Sequence, residues 1–361
     1  MKKILCLTDA FSLGGAERQL IGLCYFLRQA GYNAELACYY EENFYADLIE
    51  QLNIPLHTLK ARGKIGKINA IKQIIKKNGY DVVIVYKDNV TVIASLLKLF
   101  GLSTKTIVSE RNTTQEETKR DKIKFFLYRF SDYIVPNSYS QKKYIENYHA
   151  NLAGKIKVIS NFTDTVYFCP PNSGVNDINN NIKILVAGRI ARQKNIIRFL
   201  NVLKELKKQE IHFHVKWFGN KSPIEEEYEK ECLKKIEELG IKGCFEFHPA
   251  SSQILEEYQK CDVFCLPSIF EGYPNVLCEA MSCGKPVLCG DICDNPFIVE
   301  DGKNGFLFNP HDEVDMLNKI KSFCLLSYEE RMQMGKRSRE IALEKFSEER
   351  FVQAYIGLIE K

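Results

Sequence analysis

The sequence predicts an α/β protein made of two doubly wound domains, each a parallel sheet covered by helices. Three observations carry that expectation. The chain has 361 residues, more than one compact domain ordinarily holds. Each half opens with a buried-strand run, a glycine-containing turn and an amphipathic helix. Further apolar runs bounded by polar turns then alternate with helical segments, as parallel sheets require. With 45% hydrophobic and 27% charged residues, the chain can fill two cores and is not expected to be disordered.

The first unit begins with the strand Lys3–Thr8, turns at Gly14-Gly15 and enters a helix. There Leu20, Leu23, Cys24 and Leu27 fall at i, i+3, i+4 and i+7, and Gly31 stops the run. The second repeats the plan with the strand Ile182–Ala187, the turn at Gly188, and Ile196, Leu200 and Leu203 as the helical stripe. Asp81–Tyr86, Thr106–Val108, His214–Phe218, Asp262–Leu266 and Pro286–Cys289 read as further strands. Between the halves Cys169–Asn181 reads CPPNSGVNDINNN, the composition of an exposed linker. The expected domains are therefore 1–168 and 182–345, joined by 169–181. Two such sheets in tandem are expected to face each other across a cleft that takes a ligand at the carboxyl ends of the strands.

No stretch reaches the ~18 uninterrupted apolar residues of a spanning helix, and Met1-Lys2-Lys3 precedes only a short apolar run, so neither a signal peptide nor a membrane span is expected. Thirteen cysteines show no CxxC pair and no zinc-ligand spacing. Cys278, Cys283, Cys289 and Cys293 lie among apolar neighbours and read as core; no metal is assigned. Residues 1–165 hold 24 Lys+Arg against 16 Asp+Glu, so the N-terminal half is the basic one. Between Lys60 and Lys77 seven basic residues occur with no acidic one, and Ile65, Ile68, Ile71 and Ile75 are interleaved. Lys119–Phe130, KRDKIKFFLYRF, has the composition of a helix lying on an anionic bilayer; equally, its aromatics could be core and its lysines solvated.

The segment richest in chemistry is Pro267–Gly284, PSIFEGYPNVLCEAMSCG. Pro274 suits a first helical turn and Gly284 an end. A helix starting near Pro274 aims the N–H groups of Asn275, Val276 and Leu277 at the space above the sheet, which favours a phosphate. Glu279 lies on the face of Asn275, where a carboxylate suits paired sugar hydroxyls, and Glu271 adds a second acid at the same mouth. Taken as an isolated pair, Glu271 and Glu279 would read as solvated charges; the glycine, proline and helix start around them favour a site. Cations to balance a diphosphate come from Gly188–Asn195, GRIARQKN, with Arg189 and Lys194 as the candidates. Gly14-Gly15-Ala16-Glu17 puts small residues where backbone would approach a ligand, although a simple tight turn reads as well.

Together these segments resemble the retaining glycosyltransferases of family 4, of the GT-B type. The resemblance spans nearly the whole chain, through GGAE at 14–17, VISNFTD at 158–164, AGRIARQKN at 187–195, SIFEGYPNVLCEA at 268–280 with its Glu-x7-Glu pair, and DGKNGFLF at 301–308. It implies a nucleotide-sugar donor held by the C-terminal domain, an acceptor held by the N-terminal one, and no metal or other cofactor. Glu271, Arg189 and Lys194 would be catalytic. Donor contacts would come from Gly15, Gly188, Arg189, Lys194, Glu271, Gly272, Tyr273, Pro274, Asn275, Val276, Leu277 and Glu279, with Glu279 on the ribose. The run near 346–361, which starts at a plausible cap at Ser347, would return to the first domain. Where many relatives carry a histidine, this chain reads TIVSERN, which leaves Glu110, Arg111 and Asn112 on the acceptor side. Pro249 stands where a glycine is common near the base.

The expected donor is a UDP-hexose or UDP-N-acetylhexosamine, and the expected acceptor a lipid-linked or other glycan of the cell surface. The basic half suggests a cytoplasmic protein peripheral to the membrane; no nucleic-acid motif accompanies the charge. Two other readings stay open, a nucleotide-sugar 2-epimerase or hydrolase of the same architecture and a non-catalytic nucleotide-sugar-binding subunit.

Overall fold

The structure, a computed structural model, describes every residue except Leu13, Glu42, Gln115, residues 172–180, Pro223, Ile224 and Ser252. The chain divides into two compact units, Met1–Phe162 with Glu348–Lys361, and Thr163–Ser347. In the first, β1 (Lys3–Leu7), β2 (Asn33–Cys38), β3 (Leu56–Thr58), β4 (Val82–Tyr86), β5 (Lys105–Glu110) and β6 (Tyr133–Pro136) form one parallel sheet in the order β3-β2-β1-β4-β5-β6. In the second, β7 (Ile182–Ala187), β8 (Phe213–Phe218), β9 (Phe245–His248), β10 (Val263–Leu266), β11 (Val287–Gly290) and β12 (Gly305–Phe308) are ordered β12-β11-β10-β7-β8-β9.

Counted from its own first strand, each sheet has the order 3-2-1-4-5-6 of a doubly wound fold. Connections on either side of the first strand leave in opposite directions, which opens a crevice at the carboxyl ends of β1 and β4, and again of β7 and β10. β4, VVIVY, is buried at every position because helices cover both faces of the sheet. The edge-ward β8, FHVKWF, alternates buried and partly exposed residues.

The helix Gly15–Gln29 buries Leu20, Leu23, Cys24 and Leu27 completely, and Gly31 at φ +91° ends it. Glycine at position 22 is required by packing, since a Cβ there would lie 2.3 Å from Cζ of Phe162. Gln19 then holds the Phe162 backbone twice, donating to its carbonyl at 2.8 Å and accepting from its amide at 3.0 Å. The C-terminal helix Glu348–Glu360 places Phe351, Val352, Tyr355, Leu358 and Ile359 in this first core. Its last carbonyls meet cations, as a helix C-terminus favours: Lys2 and Lys105 reach the Ile359 carbonyl at 2.7 and 3.0 Å.

The first unit ends at Phe162, six residues before the boundary read from the sequence. Phe168 is buried in the second unit's core, and Arg339 holds the Thr165 and Phe168 carbonyls at 2.9 and 3.0 Å. Of the expected linker, residues 172–180 lie outside the described residues. Cys278, Cys283 and Cys289 are buried in the core of the second unit, and burial raises their thiol pKa values.

Gly219 lies so close to the turn after β7 that a Cβ there would stand 2.0 Å from the Gly188 carbonyl oxygen, which already accepts from Trp217 Nε1 at 2.8 Å. Gly219→Ala is therefore expected to cost about 1–3 kcal/mol in denaturant unfolding. An unchanged midpoint would mean that these two backbones part freely.

Candidate active site

In the second unit the loops after β7 and β10 leave from the crevice of the sheet, and three polar side chains join them. Gln193 accepts from the Ile269 amide at 2.9 Å through its main chain and donates to the Phe270 carbonyl at 2.8 Å through its side chain. Asn195, left-handed at φ +59°, is buried and donates to the carbonyls of Pro267 (3.1 Å) and Pro310 (2.7 Å). Asparagine tolerates that conformation because its short amide can bond locally. Between them Lys194 Nζ meets Glu271 Oε1 at 2.5 Å, with both side chains only 11% exposed. Gly188 makes room for that lysine, for a Cβ at 188 would lie 3.0 Å from Lys194 Cε.

The remaining cations divide clearly. Arg192 is already engaged, 2.7 Å from Glu231 and over the Tyr228 ring. Arg189 is exposed and has no ion pair among the described residues. Lys194 and Glu271, given separate tasks by the sequence, form an ion pair with each other.

Pro274 caps the helix Asn275–Ser282. Of the three amides expected to be open, that of Leu277 is not, because it bonds the Pro274 carbonyl at 3.1 Å; the first turn closes one residue earlier than the spacing suggests. The Val276 amide has no partner among the described residues. Glu279 is 7% exposed and accepts from the Tyr258 hydroxyl at 3.1 Å. Burial first, and then the Glu279 carboxylate, push the Tyr258 pKa well above that of free tyrosine, so it remains a donor. Tyr273 turns its ring edge-on to Phe346, 6.3 Å between centroids. Gly272 lies in the loop ahead of it. Sequence reasoning missed Gln193, Asn195 and Tyr258; the polar residues within ARQKN were the available signal for the first two.

In the first unit Gly15 begins the helix after β1, and Gly14 precedes it in an extended conformation. A Cβ at Gly14 would stand 2.5 Å from Glu17 Oε2. Glu17 is buried and turns back on its own helix start, where it meets Lys87 Nζ at 2.7 Å and the Ser12 hydroxyl at 2.9 Å. Of the three residues placed on the acceptor side, Asn112 is exposed. Arg111 donates to Asn161 Oδ1 (2.7 Å), to the Tyr355 hydroxyl (2.8 Å) and to Tyr86, whose ring it covers at 4.0 Å. Glu110 is enclosed, paired with Lys124 at 2.9 Å and with the Tyr128 hydroxyl. Burial raises its carboxyl pKa, with Lys124 opposing. Its side chain thus faces the interior rather than open solvent.

The segment expected to lie on a bilayer forms the helix Lys119–Tyr128, started by a capping box between Thr118 and Asp121. Lys124 and Phe125 point inward, whereas Ile123 and Phe126 are 60% and 52% exposed among Lys119, Arg120, Lys122 and Arg129. Among the described residues no helix is long and apolar enough to cross a membrane, and no group of three His, Cys, Asp or Glu side chains could hold a metal.

Lys194→Met removes the ammonium 2.5 Å from the enclosed Glu271 carboxylate, and is expected to destabilise the chain by about 3 kcal/mol. The double variant Lys194→Met/Glu271→Gln should recover most of that in thermal or denaturant unfolding. Equal losses in the single and double variants would show that the pair is not coupled.

Comparison with known proteins gives this geometry its context. Residues 13–167 match the model described as Glycosyltransferase Family 4, and residues 172–341 the model described as Glycosyl transferases group 1. An uncharacterized glycosyltransferase of Haemophilus influenzae is 26% identical over 99% of this chain and 100% of its own length. The lipopolysaccharide 1,2-N-acetylglucosaminetransferase of Salmonella typhimurium is 25% identical over 62% of this chain and 54% of its own. Among solved structures, Anabaena Alr3699/HepE in complex with UDP superposes with a TM-score of 0.87 at 21% identity over 99% of both chains. The same protein in complex with UDP-glucose gives 0.85 at 21% identity over all of both chains. The two family models, the full-length relative and the paired doubly wound sheets agree, and the chain belongs to the family-4, group-1 glycosyltransferases of GT-B fold.

Proposed function

We propose that this protein transfers a hexose or N-acetylhexosamine from its UDP derivative to a lipid-linked or other glycan acceptor in cell-surface polysaccharide or oligosaccharide synthesis, with retention at the anomeric carbon and without a metal. One observation carries the reading. At the switch point of the second unit Arg189, which has no ion pair among the described residues, stands in the same loop as Lys194, and Lys194 forms an enclosed pair with Glu271 of the loop after β10. The bound ligands of HepE, UDP and UDP-glucose, and the N-acetylglucosamine transfer named for the Salmonella relative support the donor class.

In this reading the diphosphate lies against Arg189, Lys194 and the start of the helix Asn275–Ser282. Glu279 receives the ribose hydroxyls, and Glu271 the sugar hydroxyls. The bond from the anomeric carbon to the phosphate oxygen breaks as the acceptor oxygen adds on the same face, through an oxocarbenium-like centre. The departing phosphate oxygen takes the acceptor proton, and the cations hold the charge that remains. Each preorganised donor of that kind contributes on the order of 10²–10³ in rate. The first unit takes the acceptor, with Asn112 and Arg111 nearest its strand ends, and the exposed stripe Ile123–Phe126 with its surrounding cations rests on anionic lipid.

Arg189→Ala is expected to lower kcat about 10²–10³-fold while the melting temperature stays put, since the side chain is exposed. Product NMR should report the donor's own anomer, with EDTA having no effect; an inverted anomer or EDTA-sensitive transfer would overturn the mechanism. Donor breakdown without acceptor at the same rate would favour a hydrolase instead. For the membrane face, Ile123→Glu/Phe126→Glu should reduce co-sedimentation with phosphatidylglycerol vesicles at low salt at least tenfold, and undiminished binding would remove that assignment.

A further inference from the structure

At the amino ends of β7, β10 and β11, away from the loops that carry Arg189 and Glu271, the second unit has a half-open pocket of about 330 Å³. That is within the size range of small-molecule sites. Six cationic side chains line it against one carboxylate, Asp262. Four of the seven have evident structural duties. Lys285 donates to the carbonyls of Gln259 (2.9 Å) and Cys261 (2.8 Å), and so caps the end of the helix Ile254–Lys260. Arg339 reaches the Ser282 carbonyl at 2.7 Å, at the end of the helix Asn275–Ser282. Both are what the negative end of a helix dipole calls for. Lys260 pairs with Glu256 at 2.9 Å, and Asp262 accepts from the Lys183 amide at 2.7 Å.

Arg331 and Lys336 have no such duty. Both project from the helix Tyr328–Lys345 to line the cavity, and neither has an ion pair among the described residues. On the same wall lie Tyr328 and Met332, the latter 53% exposed, and Pro286 faces them from the start of β11. A guanidinium and an ammonium beside an aromatic ring and a thioether, in a concave site, suit a ligand with a phosphate at one end and a ring that can stack on the tyrosine at the other. We infer that this cavity is a second ligand site, distinct from the one at the switch point, and that it takes a small phosphomonoester such as a hexose phosphate or a nucleoside monophosphate. The inference does not depend on glycosyl transfer.

The test uses the full chain titrated separately with inorganic phosphate, glucose 1-phosphate and UMP, followed by calorimetry. Arg189→Ala weakens the other site, so the binding event that survives in that variant is the one to follow. Arg331→Ala/Lys336→Ala should weaken it at least tenfold. Met332→Trp, which keeps both cations and adds no charge but fills the space along the apolar wall, should weaken glucose 1-phosphate and UMP far more than inorganic phosphate. A thermal melt of each variant reports folding independently. Binding of all three probes abolished by Arg189→Ala, or left unchanged by both cavity variants, would overturn the proposal.

Discussion

The ion pair between Lys194 and Glu271 is the interaction around which the second unit's site is arranged. It joins loops that leave two neighbouring strands, and an enclosed pair of charges is tolerable only when geometry is held firmly. The rest of the local sequence supplies that hold. Glycine at 188 admits the lysine stem, Gln193 fastens the loop ahead of Glu271 by main chain and side chain, and Asn195 adopts a left-handed conformation that lets its amide bond two buried carbonyls. Under the proposed function, the donor's diphosphate would compete with the Glu271 carboxylate for the Lys194 ammonium.

The first unit solves the same problem with the signs exchanged. There the acid, Glu17, follows the first strand of the sheet, and the cation, Lys87, follows the fourth. In the second unit the cation follows the first strand and the acid the fourth. Both crevices are therefore crossed by a salt link where the strand order reverses. The glycine beside each link, Gly14 or Gly188, is small because a charged side chain of the link passes over it.

Much of the fold was legible because its central strands are long apolar runs. Lys3–Leu7, Val82–Tyr86, Ile182–Ala187 and Val263–Leu266 all stand within one or two residues of where pattern alone places them. The strands that pattern did not announce are short or are interrupted by polar residues or glycine. β3 has three residues, β2 carries Asn33 and Glu35, and β12 begins at Gly305, where close approach to Val287 outweighs strand propensity. At the site, the residue types and their spacing were visible, but pairing was not. Nothing in the spacing of 77 residues between Lys194 and Glu271 says that they touch. Similarly, Glu110 ends a strand, which suggests an outward side chain; only Lys124 and Tyr128, brought in by the following helix, reveal that it turns inside.

Just past the end of the helix that carries Glu279, main chain meets main chain: a Cβ on Gly335 would fall 2.3 Å from the Gly284 carbonyl oxygen. Two backbones in direct contact leave no side chain whose trimming or enlargement could retune the distance between them. That spacing is thereby closed to adjustment by substitution, so related chains should keep both glycines whatever else varies along the helix.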